Sequence, residues 1–67
     1  MSLHTKIREL RLRDRLSQEE LAQRVGVRRE TIGNLENGRY NPSLKLAMDI
    51  AKVFDCTVEE VFTFRES

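Results

Sequence analysis

Few residues in this 67-residue chain are of the types that carry out covalent or metal chemistry. The chain has one His and one Cys, and His4 has neither a carboxylate nor a Ser placed with it at catalytic spacing. A single Cys forms no intrachain disulfide, and one Cys with one His is too small a ligand set for an ordinary structural zinc site. Because no nucleophile–base pair, metal cluster or phosphate loop is visible, we expect no enzyme, no bound metal and no cofactor.

The charged residues offer a binding function instead, because their distribution along the chain is uneven. Residues 1–29 contain eight basic and four acidic residues, a net charge of +4, whereas residues 30–67 contain four basic and seven acidic residues, a net charge of −3. A basic half joined to an acidic half is a pattern that a small binder of a polyanion would show, with its acidic side facing away. The alternative is that these charged residues only occupy solvent-exposed faces of helices and have no binding role.

Chain length and hydropathy limit the architecture to a single domain over residues 1–67. A chain this short buries only roughly 60% of the surface that its unfolded form exposes, so its core is thin. A second copy is therefore expected to add to its stability by dimerisation. No apolar run approaches the ~18 residues of a membrane span, and no signal-peptide pattern opens the sequence. We therefore expect a soluble, cytoplasmic protein that does not bind membranes.

The spacing of small and apolar residues between residues 17 and 36 predicts two helices that meet at a steep angle. Ser17 and Glu20 form the capping-box pattern that starts a helix, and Gly26 stands where this helix would end in a left-handed residue. Ala22 is small where the two helices nearly touch. The inward positions are then filled by Leu21, Val25, Val27, Ile32 and Leu35. Residues 17–36 are thus predicted to be a helix-turn-helix, a unit whose second helix enters the DNA major groove.

Further elements are predicted on both sides of this unit. Apolar residues at helical spacing over residues 5–15 indicate a first helix. Residues 37–42 (Asn-Gly-Arg-Tyr-Asn-Pro) concentrate turn formers and indicate an exposed loop. Ser43 then begins an apolar stripe that runs to Phe54 and predicts a core helix.

The C-terminal end is predicted to contain a fifth, short helix. Thr57 and Glu60 repeat the capping-box pattern before Val58, Val61 and Phe62. Residues 62–65 alternate apolar and polar side chains, as an edge strand or an extended tail would. The predicted architecture is therefore all-α with five helices and, at most, a short C-terminal strand.

The order of these motifs resembles the Cro and phage-repressor (XRE) family. The similarity is carried by Leu-Ser-Gln-Glu-Glu-Leu-Ala at 16–22, Val-Gly-Val at 25–27 and Thr-Ile-Gly-Asn-Leu-Glu-Asn-Gly at 31–38, and it extends over residues 7–62. The resemblance implies a lambda-repressor-like DNA-binding domain. It is greatest to the small stand-alone regulators of this family, which implies a homodimer, a palindromic operator and no small-molecule effector.

By position, the resemblance places on the outward surface of the recognition helix four side chains that would contact bases: Arg28, Arg29, Glu30 and Asn34. An Arg can fork onto guanine and an Asn can pair bidentately with adenine, which favours Arg29 and Asn34. Glu30 would accept from a cytosine amino group or orient a neighbouring Arg. Gly33, on the same surface, either permits close approach of the backbone to the groove wall or contributes only low bulk. The family often has Gln, Ser or Thr at the outward sites, so the operator sequence stays open.

The same resemblance assigns five residues to the sugar–phosphate backbone of the duplex: Gln18, Asn37, Arg39, Tyr40 and Asn41. Gln18 starts the first helix of the unit, where backbone amides already favour an anion. The other four follow the recognition helix, and Asn-Gly is itself a strong turn pair, so turn chemistry is favoured for Asn37. Arg11 and Glu36 match a family pair that joins the first helix to the end of the third, and we expect a structural ion pair.

The affinity that specific binding needs predicts a second copy. One recognition helix reads only a few base pairs, too few for specific affinity at cellular salt. A two-fold axis would place two recognition helices about 34–36 Å apart and make the operator an inverted repeat. Residues 53–66 offer the surface for this contact, through Val58, Val61, Phe62 and Phe64. The alternatives are that Phe62 lies in the core of one chain with Phe64 frayed, or that the tail pairs with the N-terminal arm as a two-stranded patch.

These patterns predict a homodimeric, sequence-specific regulator of transcription that binds double-stranded DNA. We expect a repressor that acts by occupancy, in a prokaryotic or phage setting and associated with the nucleoid. The alternative is a protein-interaction module of the same fold, an antitoxin or the partner of another regulator, that binds DNA weakly. The outward Arg28, Arg29 and Asn34 favour the first hypothesis.

Overall fold

The structure, a computed structural model, describes residues 2–66, which form five helices between two short strands. In chain order these are β1 (Ser2–Thr5), α1 (Ile7–Asp14), α2 (Gln18–Val25), α3 (Arg29–Glu36), α4 (Leu44–Val53), α5 (Val58–Val61) and β2 (Phe62–Arg65). The prediction of a five-helix domain with a helix-turn-helix is confirmed. Within this part of the chain, no helix is long and apolar enough to cross a membrane, and no group of three His, Cys, Asp or Glu side chains could hold a metal ion.

The corner between α2 and α3 forms as the sequence predicts. The Ser17 hydroxyl accepts from the Glu20 amide at 3.0 Å, and the Glu20 carboxylate accepts from the Ser17 amide at 3.0 Å, so both halves of the capping box are present. Gly26 ends α2 with a φ of 75°, a conformation that other residues rarely adopt. The Val27 amide donates to the carbonyl of Ala22, which closes the turn and lets α3 begin at Arg29.

The N-terminal segment differs from the prediction, which placed Thr5 in the first helix. Thr5 belongs to β1, and α1 begins at Ile7. The strand forms because β1 pairs antiparallel with β2, with Leu3 opposite Phe64 and Thr5 opposite Phe62. The Lys6 amide then donates to the carbonyl of Val61 at 2.9 Å and joins the start of α1 to the end of α5. The alternative in which the tail pairs with the N-terminal arm is therefore confirmed.

The hydrophobic core collects side chains from every helix. The largest fully buried residues are Ile7, Leu21, Ile32, Leu35, Ile50, Phe54 and Val61. Arg13 connects α1 to the end of α4 by a hydrogen bond, which its Nη2 donates to the carbonyl of Phe54 at 2.9 Å. The same guanidinium pairs with Asp14, and this hydrogen bond lowers the pKa of the Asp14 carboxyl. The core thus holds α2 and α3 against a rigid base formed by α1, α4 and α5.

Candidate nucleic-acid interface

The outward surface of α3 carries the four residues that were predicted to contact bases. Arg28, Arg29, Glu30 and Asn34 are all exposed. Within residues 2–66, none of these four side chains has a hydrogen-bond or ion-pair partner (the polar contacts lie elsewhere). Two arginines and an amide are therefore free to bind an external ligand without breaking any internal bond.

The start of α3 differs from the starts of its neighbours. The N-cap residues that precede α2, α4 and α5 are Ser17, Ser43 and Thr57. Their hydroxyl groups accept hydrogen bonds from backbone amides of the first turn. In the described chain, α3 has no such bond at its N-cap residue, Arg28. Arg28 and Arg29 also place positive charge at the positive end of the helix dipole, where acidic residues would be favoured. The first turn of α3 is therefore built at some cost in stability, and its free amides and arginines together favour an anion.

Gln18, Glu36 and Arg11 form a network that fixes α3 against α1 and α2. Glu36 accepts from Arg11 Nε at 2.7 Å and from Arg11 Nη2 at 3.3 Å. It also accepts from Gln18 Nε2 at 3.1 Å, while Arg11 Nη1 donates to the carbonyl of Leu16 at 3.0 Å. The Arg11 and Glu36 side chains are only 11% and 9% exposed. The expected ion pair between Arg11 and Glu36 is thus present in the structure, and it holds Gln18 as well.

Gln18 has two roles in this arrangement. One hydrogen of its Nε2 amide binds Glu36, while the second hydrogen and the amide oxygen carry no bond within residues 2–66. Since Gln18 is the first residue of α2, its free groups lie at the positive end of that helix. Gln18 is therefore positioned by Glu36 and still able to contact a phosphate.

The loop after α3 is shaped by Asn37 and Gly38. Asn37 ends α3, and its amide donates to the carbonyl of Gly33 at 3.1 Å. Gly38 has a φ of 70°, and a Cβ at this position would lie 2.6 Å from the carbonyl oxygen of Leu3. Only glycine fits here, for both reasons. The sequence favoured a role in the turn for Asn37, and this geometry supports that role. The contact of Gly38 with β1, in contrast, could not be predicted from the sequence.

The other loop residues divide into two kinds. Arg39 and Asn41 are exposed and have no side-chain bond within the described residues. Tyr40 is 44% exposed and lies beside Val25 and Val27 at a shallow cavity of about 210 Å³. Arg39 and Asn41 are thus available to a ligand, whereas the Tyr40 ring also covers the corner between α2 and α3.

The residues predicted to contact a second copy are not all on the surface. Val61 is 1% exposed and Phe62 is also buried, because both pack into the chain's own core. The prediction that Val61 and Phe62 contact a second copy is therefore corrected: both are core residues. For Phe62 this agrees with the alternative that it lies in the core of one chain. Val58 is half-buried and Phe64 is 54% exposed, and Phe64 is not frayed, since it pairs with Leu3.

The apolar stripe predicted from Ser43 to Phe54 is not buried throughout, because two of its residues are exposed. Leu44 and Met48 lie on α4 and are both exposed. Leu44 lines a groove of about 260 Å³ together with Leu3, Pro42, Val58, Phe62 and Phe64. Leu44 and Met48 are four residues apart and so share one face of the helix, which differs from the face of Ala47 and Ala51. This spacing was the feature of the sequence that could have indicated their exposure. We call Leu44, Met48, Val58 and Phe64 the apolar patch.

A helix-turn-helix whose second helix presents free arginines and an amide defines a DNA-binding protein of the helix-turn-helix class. The family model described as "Helix-turn-helix" matches residues 7–61. The chain belongs to this XRE-type helix-turn-helix family: it is a transcriptional regulator with a DNA-binding helix-turn-helix and not an enzyme.

The relatives and solved structures agree with this assignment. An uncharacterized HTH-type transcriptional regulator of Archaeoglobus fulgidus is 58% identical over 64 residues, which are 96% of this chain and 90% of that protein. The restriction-modification controller protein C.AhdI from Aeromonas hydrophila superposes with a TM-score of 0.75 at 38% identity, over 82% of this chain and 83% of that one. The transcriptional activator BcrR of Enterococcus faecalis is 32% identical over 98% of this chain but only 32% of its own length.

Proposed function

We propose that this regulator is a homodimeric repressor that recognises an inverted-repeat operator in double-stranded DNA through the major groove. The observation that carries the proposal is the exposed, unpartnered state of Arg29 and Asn34 on α3. Arg binds the O6 and N7 of guanine and Asn binds the N6 and N7 of adenine, each with two hydrogen bonds. Arg28 and Glu30, on the same surface, would add contacts at the ends of the half-site or orient Arg29.

The poor local stability of α3 supports this proposal. The neighbouring helices α2 and α5 begin with complete capping boxes, while α3 begins with Arg28 and Arg29 and contains Gly33 in its interior. Arginines at the start of a helix oppose its dipole and glycine disfavours a helix interior, so packing of Ile32 and Leu35 has to hold α3 in place. Exposed positive charge at the start of this helix suits a polyanionic ligand such as DNA.

The backbone contacts in this proposal flank α3. Gln18 stands at the start of α2, and Arg39 and Asn41 follow the end of α3. These groups would bind phosphates and set the register of the protein on the duplex without reading its sequence. Asn37 and Tyr40 belong to the same surface, but each also has a structural role in the loop.

The homodimer in this proposal would form through the apolar patch, which lies in the proposed dimerisation region of residues 53–66 and on the neighbouring face of α4. Leu44 and Phe64 are exposed apolar side chains that line one groove, a feature that a second copy would cover. A two-fold axis at this patch would present two α3 helices to one face of the duplex about 34–36 Å apart. Dimerisation would thereby double the number of base pairs read.

Repression by occupancy fits what the described residues supply. BcrR, which is an activator, has two thirds of its length outside the part that matches this chain. In this proposal α3 and its flanking residues would bind the duplex and the apolar patch would bind a second copy, and occupancy of an operator needs no more than these. Repression, and a cytoplasmic location on the nucleoid, are therefore the activity and setting that we propose.

Selection of duplexes from a random pool, followed by alanine variants, tests the function. Arg29→Ala and Asn34→Ala should each weaken operator binding by about 1–3 kcal/mol and relax the preference at a single base pair. Gln18→Ala and Arg39→Ala should weaken operator and random DNA alike, and Arg39→Ala should reduce the salt dependence of log K by about one unit. Quantitative gel-shift or anisotropy titrations at several salt concentrations would measure both effects.

A charge-matched control is Lys52→Ala, which removes one exposed positive charge at the C-terminal end of α4. It should leave operator affinity unchanged. Equal losses on operator and random DNA for all four interface variants would contradict the division into base and backbone contacts. Salt-independent binding to a protein, with no preference for any duplex, would instead support the protein-interaction module.

A further inference from the structure

Gly33 has no role in the fold that requires glycine. Gly26 and Gly38 have positive φ values of 75° and 70°, but Gly33 lies in the helical region inside α3. A Cβ at residue 33 would meet no atom nearer than Gln18 Nε2 at 3.9 Å, which is an ordinary van der Waals distance. Glycine in a helix interior is less stable than alanine, because its backbone loses more freedom on folding. The fold would therefore be better served by alanine at this position.

The position of Gly33 on the surface gives glycine another purpose. Gly33 follows Arg29 by four residues, so both lie on the same face of α3. Across the angle between the helices, Gln18 is the nearest side chain. Gly33 therefore leaves a shallow depression between a proposed base contact and a proposed phosphate contact.

We propose that this depression receives the sugar–phosphate strand that Gln18 contacts, so that Gly33 determines how deeply α3 enters the major groove. This inference rests on the proposed function, because its ligand is the same duplex. Hydrogen bonds from Arg29 and Asn34 to base edges have a narrow range of distance. A side chain at residue 33 would hold the helix backbone away from the strand and stretch these bonds. Gly33 is thus a positioning residue for the base contacts.

Gly33→Ala and Gly33→Leu test this inference, because stability and binding should change in opposite directions. Alanine should raise the melting temperature by about 2–8 °C, since it favours the helix and meets no clash. The same variant should weaken binding to the selected operator by about tenfold or more, which is the effect of losing one good contact. Leucine, also a strong helix former, should weaken it further. Affinity for random DNA should change less, since α3 is not seated against base edges there.

Gly26→Ala is the matched control, since it adds the same atoms at the C-terminal end of α2 instead of inside α3. It should lower the melting temperature, because its φ of 75° strains an alanine, and leave the operator affinity of the folded protein unchanged, because nothing lies within 4 Å of the new Cβ. A parent protein that binds no duplex would overturn the proposed function and this inference with it. A parent that binds its operator while Gly33→Ala binds equally tightly would overturn only the role of Gly33.

Discussion

Glu36 is the residue that connects recognition to the rest of the molecule. Both of its carboxylate oxygens are occupied, one by Arg11 Nε and the other by Arg11 Nη2 and Gln18 Nε2. The carboxylate therefore joins the middle of α1, the first residue of α2 and the last residue of α3. Since this pair is nearly buried, its partners cannot be replaced one at a time by water without loss.

Arg11→Ala is expected to lower the free energy of unfolding by about 3–5 kcal/mol, because it leaves the Glu36 carboxylate buried without its positive partner. The Leu16 carbonyl would also lose its donor. Urea denaturation measures the change, with Arg8→Ala as a control that removes an exposed arginine from the same helix. Arg11→Ala and Arg8→Ala variants of equal stability would contradict the structural role of the pair. The pair itself could be inferred only from resemblance, because 25 residues separate its members and no local pattern connects them.

At the scale of the helices, what the sequence predicts well is local chemistry. The capping boxes at Ser17 and Thr57 and the left-handed Gly26 involve residues at most four apart, and all of them appear where the pattern placed them. Contacts between distant segments were harder to predict. Residues 2–5 form a strand only because Phe62–Arg65 lie beside them. No pattern within residues 2–5 themselves could have separated Thr5 from the helix that follows.

The two capping boxes should make the protein sensitive to acid. The Ser17 amide, and then its hydroxyl, lower the pKa of Glu20 below its ordinary value of 4.5, and Thr57 does the same for Glu60. A carboxyl whose pKa is lower in the folded state stabilises the fold above the unfolded pKa. That stability is lost as the pH falls from about 4.5 through the folded pKa. The melting temperature of the parent should therefore decrease as the pH is lowered from about 4.5 through the folded pKa values of Glu20 and Glu60.

The double variant Glu20→Gln, Glu60→Gln should show a shallower fall. Glutamine can still accept the cap hydrogen bond, but it does not titrate. Circular dichroism melts between about pH 3 and 6 would record the difference. Glu19→Gln, which removes a carboxylate from the first turn of α2 without touching the cap, should retain the slope of the parent. Identical slopes for the double variant and the parent would show that the caps do not control the acid response.

At the scale of the whole molecule, the apolar patch is the feature that the sequence described least well. Sequence periodicity places Val61 and Phe62 on an apolar face but cannot tell whether a face meets its own core or another chain. In the structure, Val61 and Phe62 belong to the chain's own core, and the exposed apolar side chains are instead Leu44, Met48 and Phe64. The surface that we propose for self-association therefore includes α4 as well as the C-terminal end.

If the protein forms the proposed dimer, Phe64→Asp and Val58→Asp should each convert it into a monomer, because each places a charge inside the proposed contact. Sedimentation equilibrium should give twice the chain mass of 7.9 kDa for the parent and the single chain mass for the variants. Leu12→Asp is the control, since Leu12 is an exposed leucine on α1 outside the patch. A parent that sediments as one chain would refute the interface. So would a Phe64→Asp variant that remains folded and dimeric.

The pairing of Ser2 with Arg65 brings segments from opposite ends of the chain into one sheet. During synthesis on the ribosome, Leu3 therefore emerges long before its partner Phe64, and β1 has no strand to pair with until β2 has been added. Gly38 depends on the same strand, because it packs against the carbonyl of Leu3. Local hydrogen bonds at the end of α3 can close this loop early, but its contact with β1 gains the support of the sheet only after translation has reached the C-terminal strand.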